Sequence, residues 1–533
     1  MSAGVVIVVL AAAVAGGVAA AGGPGPVTAR PVRISVTDGP HDNQHVSLDA
    51  TFFTPSGTGR VPAILLAHGF GQTKDDMVPE AETLARSGFA VLTWSARGFG
   101  NSTGQIALDS PDYEVKDVEG LVSWLAAQPR VLLDHPGDPR VGIAGDSYGG
   151  AIALLAAAYD HRIDAVVAQS TWNNLATALF PNALVPAGTA GAGPADGVFK
   201  KQWASLLFSA GSSADQTATA GGGGANSGGA GSAGSGSGEA GPGAGGSGGP
   251  GAAGTGGSGS AGGAAGAGGV GGSAGGFLCG RFLPSLCALY QQIAQTGKPT
   301  PQAIATLEAS SPSSVASHML APTLLVQGEQ DSLFGLDQAD ANYQALRHNG
   351  APADMVWYAG GHDGGDQETA RIDGLTADWF HRWLGTGSAA TGQPGFAVSR
   401  TLGLDPTTGS VSLGVAAAGR YPGLNGTRQQ VVPLAAAGSP GSTGSPGSAG
   451  QAVINPAGGA PAAISSLPGV GQELGLGTGV SIDVPGQYAS FTSAPLTAPL
   501  QLTGSATVRL RVTAPKGATL FVKLYDLDQA GTA

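Results

Sequence analysis

At 533 residues the chain exceeds one ordinary domain, and 24 basic against 36 acidic residues, with a net charge of −12 and no basic block, argue against nucleic acid as a partner. With 92 glycines, 35 prolines and only 11% charged residues, part of the chain is expected to stay unfolded. Seven lysines among the 24 basic residues, in an Ala/Gly/Arg-heavy sequence, point to a high-GC bacterial gene.

In chain order, the first feature is an apolar run. From Gly4 to Ala21 no side chain is polar; a Gly/Pro break follows, and Ala19-Ala20-Ala21 offers a small-residue cleavage site. Residues 1–26 therefore read as a signal peptide, or second as a retained membrane anchor through residues 4–21. No Lys or Arg precedes the run, which leaves an Ala/Gly tail on a cytoplasmic protein as the bland alternative. The expected location is extracytoplasmic, secreted or membrane-anchored.

Residues 27–170 alternate strands with helices. "VRISV" and "LDATFF" read as an opening antiparallel pair, while "PAILLAHGF", "FAVLTWS", "RVGIAG" and "DAVVAQS" are short apolar runs of the kind buried on both faces. Between them "DDMVPEAETLARSG" stops at Gly88, and "DYEVKDVEGLVSWLAAQ" puts Val115, Val118, Leu121, Val122 and Leu125 on one face before Pro129. This alternation predicts a parallel α/β sheet.

Residues 171–315 break the pattern and read as a cap, holding at 211–276 an almost pure Gly/Ala/Ser tract expected to be disordered. Within the cap, Cys279 and Cys287 lie eight positions apart, without CxxC spacing; a short local disulfide and two buried thiols are equal readings. The α/β pattern resumes at 316–387 with "APTLLVQGEQD", "ADMVWYAGGHDGG" and the amphipathic "ETARIDGLTADWFHRWLG". Residues 388–480 read as a Gly/Pro-rich linker with an isolated strand or two in "SVSLGVAAAGRYPG". In 481–533, "TVRLRV" and "TLFVKLYDLD" look like sandwich strands, too few to close a sandwich, so a truncated one or one that borrows strands is expected.

The chemistry centres on Gly145-Asp146-Ser147-Tyr148-Gly149, a G-x-S-x-G between a strand and a helix, the setting of a nucleophile elbow. The small flanking residues permit a sharp turn that lifts the Ser147 hydroxyl, with the Tyr148 amide facing any developing oxyanion. The base is expected at His362, in "YAGGHDGG" after the last strand; the orienting acid is expected at Asp331, with Glu329 as near competitor and Asp363 as a solvated neighbour of the base. A second oxyanion donor is expected from the Phe70 amide, with His68 shaping its loop and His381 on the final helix.

"GDSYGG" at 145–150 and "WSARGFGNSTG" at 94–104, with "PTLLVQGEQDSLF" and the tail "FTSAPLTAPLQLTGSATVRLRV", resemble the Xaa-Pro dipeptidyl-peptidase-like hydrolases, peptidase family S15, which include cocaine-esterase-type enzymes. The resemblance covers about 45–205, 277–385 and 488–533. It implies an α/β-hydrolase fold with a cap insertion, followed by a partial jelly-roll-like segment, and acyl transfer through Ser147, Asp331 and His362. Several members use a tyrosine oxyanion donor in the loop after the first buried strand. "AHGFGQT" has none, which favours a generic esterase or amidase over a strict Xaa-Pro peptidase.

The leading expectation is a serine hydrolase acting on a small ester, amide or short peptide, without cofactor or metal and with its oligomeric state open. The alternatives are a lipase- or polyester-depolymerase-like esterase, and a non-catalytic surface binding module on a hydrolase scaffold. No G-x-x-x-x-G-K-[ST] loop supports an ATPase.

Overall fold

The computed structural model describes residues 26–182, 195–213, 279–385, 394–404 and 411–436, with shorter pieces between 451 and 527. Residues 1–25 of the expected signal segment, nearly all of the Gly-rich insertion and the patch "GSPGSTGSPGSAG" lie outside the described residues.

Ten strands form one sheet: β1 (Thr28–Asp38), β2 (Gln44–Thr54), β3 (Ala63–Ala67), β4 (Ala90–Trp94), β5 (Val141–Asp146), β6 (Ile163–Gln169), β7 (Thr323–Gly328), β8 (Ala353–Tyr358), β9 (Phe396–Leu404) and β10 (Val411–Ala418). Their spatial order is β1-β2-β4-β3-β5-β6-β7-β8-β9-β10. Strands β3 to β9 run parallel, while β1, β2 and β10 pair antiparallel at the two edges. All residues of β3, β4 and β7 are buried, which explains why these segments are mostly apolar and show no alternation.

Helices α1 (Val78–Arg86) and α9 (Thr369–Leu384) cover one face, burying Leu84, Ile372, Trp379 and Phe380. The other face takes α2 (Lys116–Ala126), α3 (Tyr148–Tyr159) and α8 (Leu336–His348), with Leu121, Leu125, Leu155 and Leu346. The predicted apolar stripe of α2 is the stripe that is buried, entered through a π-helical turn at Pro111–Val115. Helix α3 is buried from Tyr148 to Ala158, and its alanines and glycines let its neighbours pack close on every side.

Four further helices form the cap: α4 (Leu175–Leu179), α5 (Lys201–Ser213), α6 (Pro284–Thr296) and α7 (Pro301–Ala309). Helix α5 takes in residues 211–213, which composition assigns to the insertion. The cap buries Leu175, Trp203, Phe208, Leu286, Ile293 and Leu307 in one cluster with Phe99, Tyr148, Trp172 and Phe334 of the core. Cys279 and Cys287 are joined by a disulfide that ties the approach to α6 onto its first turn. Among the described residues no helix is long and apolar enough to cross a membrane.

One expectation fails here. "SVSLGVAAAGRYPG" is not an isolated strand: β10 pairs with β9 and extends the main sheet. "TVRLRV" and "TLFVKLYDLD" show no strand among their described residues, and Val508, Leu510, Val512, Phe521 and Leu524 are exposed.

Parallel pairing sets the functional edge. The chain leaves β3 for β4 on one side and returns to β5 on the other, so the sheet order reverses beside β3, where α/β sheets bind ligands. The loops after β3, β5, β7 and β8 carry Phe70, Ser147, Asp331 and His362 to this one edge.

Candidate active site

Ser147 sits between β5 and α3 with φ 56° and ψ −114°, a conformation L-residues rarely adopt. The turn is this tight because of its glycines. A β-carbon at Gly145 would lie 2.4 Å from the Gly149 carbonyl oxygen, and one at Gly149 would lie 2.4 Å from the Ala67 oxygen. The Ser147 amide is spent on Gln169 O at 3.0 Å, locking the elbow to β6. Gly149→Ala is therefore expected to destabilise the protein by about 3 kcal/mol, through a clash that only backbone movement relieves. An unchanged thermal midpoint would contradict this reading of the elbow.

The structure brings Ser147, His362 and Asp331 together. His362 Nε2 is 2.8 Å from Ser147 Oγ, and His362 Nδ1 is 2.6 Å from Asp331 Oδ2. Asp331 Oδ1 accepts from the Leu333 and Phe334 amides at 2.9 and 2.8 Å, so its carboxylate is held on both oxygens. The acid facing the base is Asp331; Glu329, the near competitor two residues earlier, is not. Burial works against a charged His362, yet the Asp331 hydrogen bond and charge, with Asp146 and Asp363 beyond, hold it above the ordinary imidazole value. The rings of Phe334 and Trp203 stand edge-on to His362 at 5.3 and 5.9 Å, so the base lies in an aromatic wall shared by core and cap.

His68 has the predicted structural part. Its Nδ1 donates to Gly69 O at 2.7 Å and its Nε2 accepts from the Ala96 amide at 2.9 Å, which requires the neutral ring. Burial pushes its pKa down to about 4, so it stays neutral while it braces the loop carrying Phe70. The Phe70 and Tyr148 amides donate no hydrogen bond among the described residues, and the two rings meet edge-on at 5.4 Å. His381 is on α9, its ring against Phe89 and away from the triad.

Three features escaped sequence reading. First, Arg97 of "WSARGFGNSTG" is buried and bonded to Asp117 at 2.8 Å and to Asp38, fastening the loop after β4 to α2 and β1. Second, the Tyr148 hydroxyl donates to Glu114 Oε1 at 3.2 Å; Glu114 also accepts from the Ala107 and Ser110 amides, and burial pushes its pKa up to about 7. Third, Asp363, half-buried, has a partner for each of its oxygens in the amide and hydroxyl of Ser332. Glu114 directly precedes Val115 of the apolar stripe, and only that proximity to a buried face could have hinted at this.

The strand order, the elbow and the acid and base loops at one edge define an α/β-hydrolase of the serine hydrolase class. Residues 42–218 match the family model described as X-Pro dipeptidyl-peptidase (S15 family), and residues 410–533 match that of the X-Pro dipeptidyl-peptidase C-terminal non-catalytic domain. Residues 42–218 are thus of the S15 type of X-Pro dipeptidyl-peptidase-like hydrolases, and the family's C-terminal domain is matched from residue 410. The second match begins at residue 410, inside the stretch read from composition as linker.

Curated relatives include an uncharacterized 31.7 kDa protein of the traX-finO intergenic region of Escherichia coli, 33% identical over 120 residues, or 22% of this chain and 40% of that protein. The quorum-quenching protein AidA of Acinetobacter baumannii is 34% identical over 131 residues, 24% of this chain and 41% of that protein. The chain thus spans about two-fifths of the length of these relatives. Among solved structures, the acylaminoacyl peptidase of Pyrococcus horikoshii is similar at TM-score 0.39 and 14% identity, over 69% of this chain and 43% of that one.

Proposed function

We propose that this chain cleaves ester or amide bonds, including those of short peptides, through an acyl-enzyme on Ser147. The observation that carries this reading is the unbroken relay from Ser147 Oγ to His362 Nε2 and from His362 Nδ1 to Asp331. As Ser147 Oγ bonds to the substrate carbonyl carbon, its proton passes to Nε2, and the carbonyl π electrons move onto oxygen. The undonated Tyr148 and Phe70 amides, with the N-terminus of α3, are the candidate donors for that oxyanion. Collapse expels the alcohol or amine, which takes the proton from Nε2. Water then repeats the sequence, with His362 first as base and then as acid, and releases the carboxylic acid with free Ser147.

A second reading, an esterase for apolar acyl groups of the lipase- or polyester-depolymerase-like kind, draws support from the aromatic surroundings of His362 and Tyr148. One experiment separates the two: turnover of a short-chain nitrophenyl ester, a long-chain one and a dipeptidyl-proline anilide. Turnover of the anilide favours the peptidase reading; ester turnover rising with chain length, with the anilide untouched, favours the esterase. No turnover of any substrate by folded protein contradicts both.

A further inference from the structure

His362 is held at the tip of a hairpin with almost no side chains. Gly360 and Gly361 pair antiparallel with Gly365 and Gly364, leaving His362 and Asp363 as the two tip residues. Gly361, Gly364 and Gly365 all have positive φ, at 159°, 118° and 80°. A β-carbon at Gly361 would lie 2.7 Å from the Asp331 backbone, which allows the hairpin to press against the acid loop. Four glycines also leave it with much backbone freedom to lose, so a fixed base position needs ties from outside. Gln367 supplies one, donating to Gly361 O at 3.2 Å and Gly364 O at 3.0 Å.

The other tie begins at Asp363. Its Oδ2 accepts from the Ser332 amide at 2.6 Å and its Oδ1 from the Ser332 hydroxyl at 2.7 Å. That hydroxyl in turn accepts from Trp203 Nε1 of cap helix α5 at 3.0 Å. Just before α5, Lys200 Nζ donates to Leu333 O at 2.8 Å, one residue further along the acid loop. The cap is thereby bonded to the loop holding Asp331, and through Ser332 to the residue beside His362.

We propose that Asp363, clasped by Ser332 and through it by Trp203, is a positioning residue that couples the seating of the cap to the orientation of His362. The proposal rests on the reading of Ser147, His362 and Asp331 as the triad. The clasp is directional: Trp203 can only donate, Asp363 can only accept when ionised, and the Ser332 hydroxyl alone satisfies both. Charge-assisted bonds of 2.6 and 2.7 Å belong to the strong class. A cap lifted from the core would lose Trp203 from both Ser332 and the His362 ring, so the base would be fully ordered only under a seated cap.

The charged groups facing His362 are Asp331 from the acid loop, Asp146 from the end of β5 and Asp363 from its own hairpin; Lys200 approaches Asp331 and Asp363 from the cap. Asp363→Asn removes one of the negative charges favouring the imidazolium, so the acid limb of kcat/KM should move to lower pH. Ser332→Ala keeps that charge and the amide bond to Asp363 but removes the hydroxyl that joins Asp363 to Trp203, so its acid limb should stay while kcat falls. Trp203→Phe keeps a ring against His362 and removes only the cap's hydrogen bond.

The test measures kcat, KM and the pH profile of kcat/KM on the preferred ester for these three variants of the full chain, with fluorophosphonate labelling rates alongside. The expected result is a kcat loss of roughly ten- to hundred-fold at little-changed KM in Ser332→Ala and Asp363→Asn, the cost of a misplaced base. Trp203→Phe should show a smaller loss, and only Asp363→Asn should shift the acid limb. Wild-type kcat and an unmoved acid limb in Asp363→Asn, or wild-type kcat in both Ser332→Ala and Trp203→Phe, overturns the clasp. A failure of the triad itself reads differently: the wild-type chain would not label at Ser147, and the proposal would fall with it. If Asp363→Asn does not fold, Ser332→Ala and Trp203→Phe decide the question through kcat.

Discussion

Ser147→Ala is expected to lower kcat by roughly a million-fold while leaving the thermal midpoint where it is. The reason lies in how little else the side chain does. Its hydroxyl meets His362 Nε2 at 2.8 Å, while the amide bond to Gln169 and the backbone turn belong to the main chain and survive the substitution. Alanine keeps the β-carbon and the same cost at φ 56°, so the variant should fold as the parent does. The residual rate would come from the oxyanion donors and from substrate binding. Steady-state turnover of a short-chain ester, beside a thermal melt of each protein, checks it. A variant retaining a tenth of the activity would remove Ser147 from the mechanism.

Asp331→Asn is expected to cost on the order of ten-thousand-fold in kcat, through the tautomer of His362. The neighbouring amides dictate which way the new side chain faces. Leu333 N and Phe334 N both donate to Oδ1, so the asparagine oxygen belongs there and its NH2 group turns to His362 Nδ1. Nδ1 must then accept, Nε2 carries the proton, and no lone pair remains to take the proton of Ser147. The same kinetic assay checks this, with fluorophosphonate labelling slowed in parallel. Wild-type turnover by the variant would mean that another group orients the base.

Much of the hydrolase core was legible in the sequence because its constraints are local. A strand buried on both faces is mostly apolar without alternation, as β3, β4 and β7 are. The elbow could be read because Gly145 and Gly149 are needed where another backbone passes within 2.4 Å of a would-be β-carbon. Asp331 and His362 could be placed because each follows its strand by a few residues, and parallel pairing then delivers both to the edge that holds Ser147.

What was not legible depends on partners distant in sequence. The partners of Asp363 went unread, since nothing near it in sequence announces Ser332, 31 residues earlier, or Trp203, 129 residues before that serine. Arg97 and Asp38 are 59 residues apart, and their burial together depends on the packing of the loop after β4 against β1. "SVSLGVAAAGRYPG" was undervalued because its partner, β9, restarts the sheet after α9.

The measurement that bears most directly on the central claim is covalent labelling of the folded chain by a serine-reactive fluorophosphonate, with the modified residue mapped by peptide mass spectrometry. The account predicts one adduct, on Ser147, formed by the wild-type chain and absent from Ser147→Ala. A folded wild-type chain that takes no label, or takes it on another residue, would contradict the account.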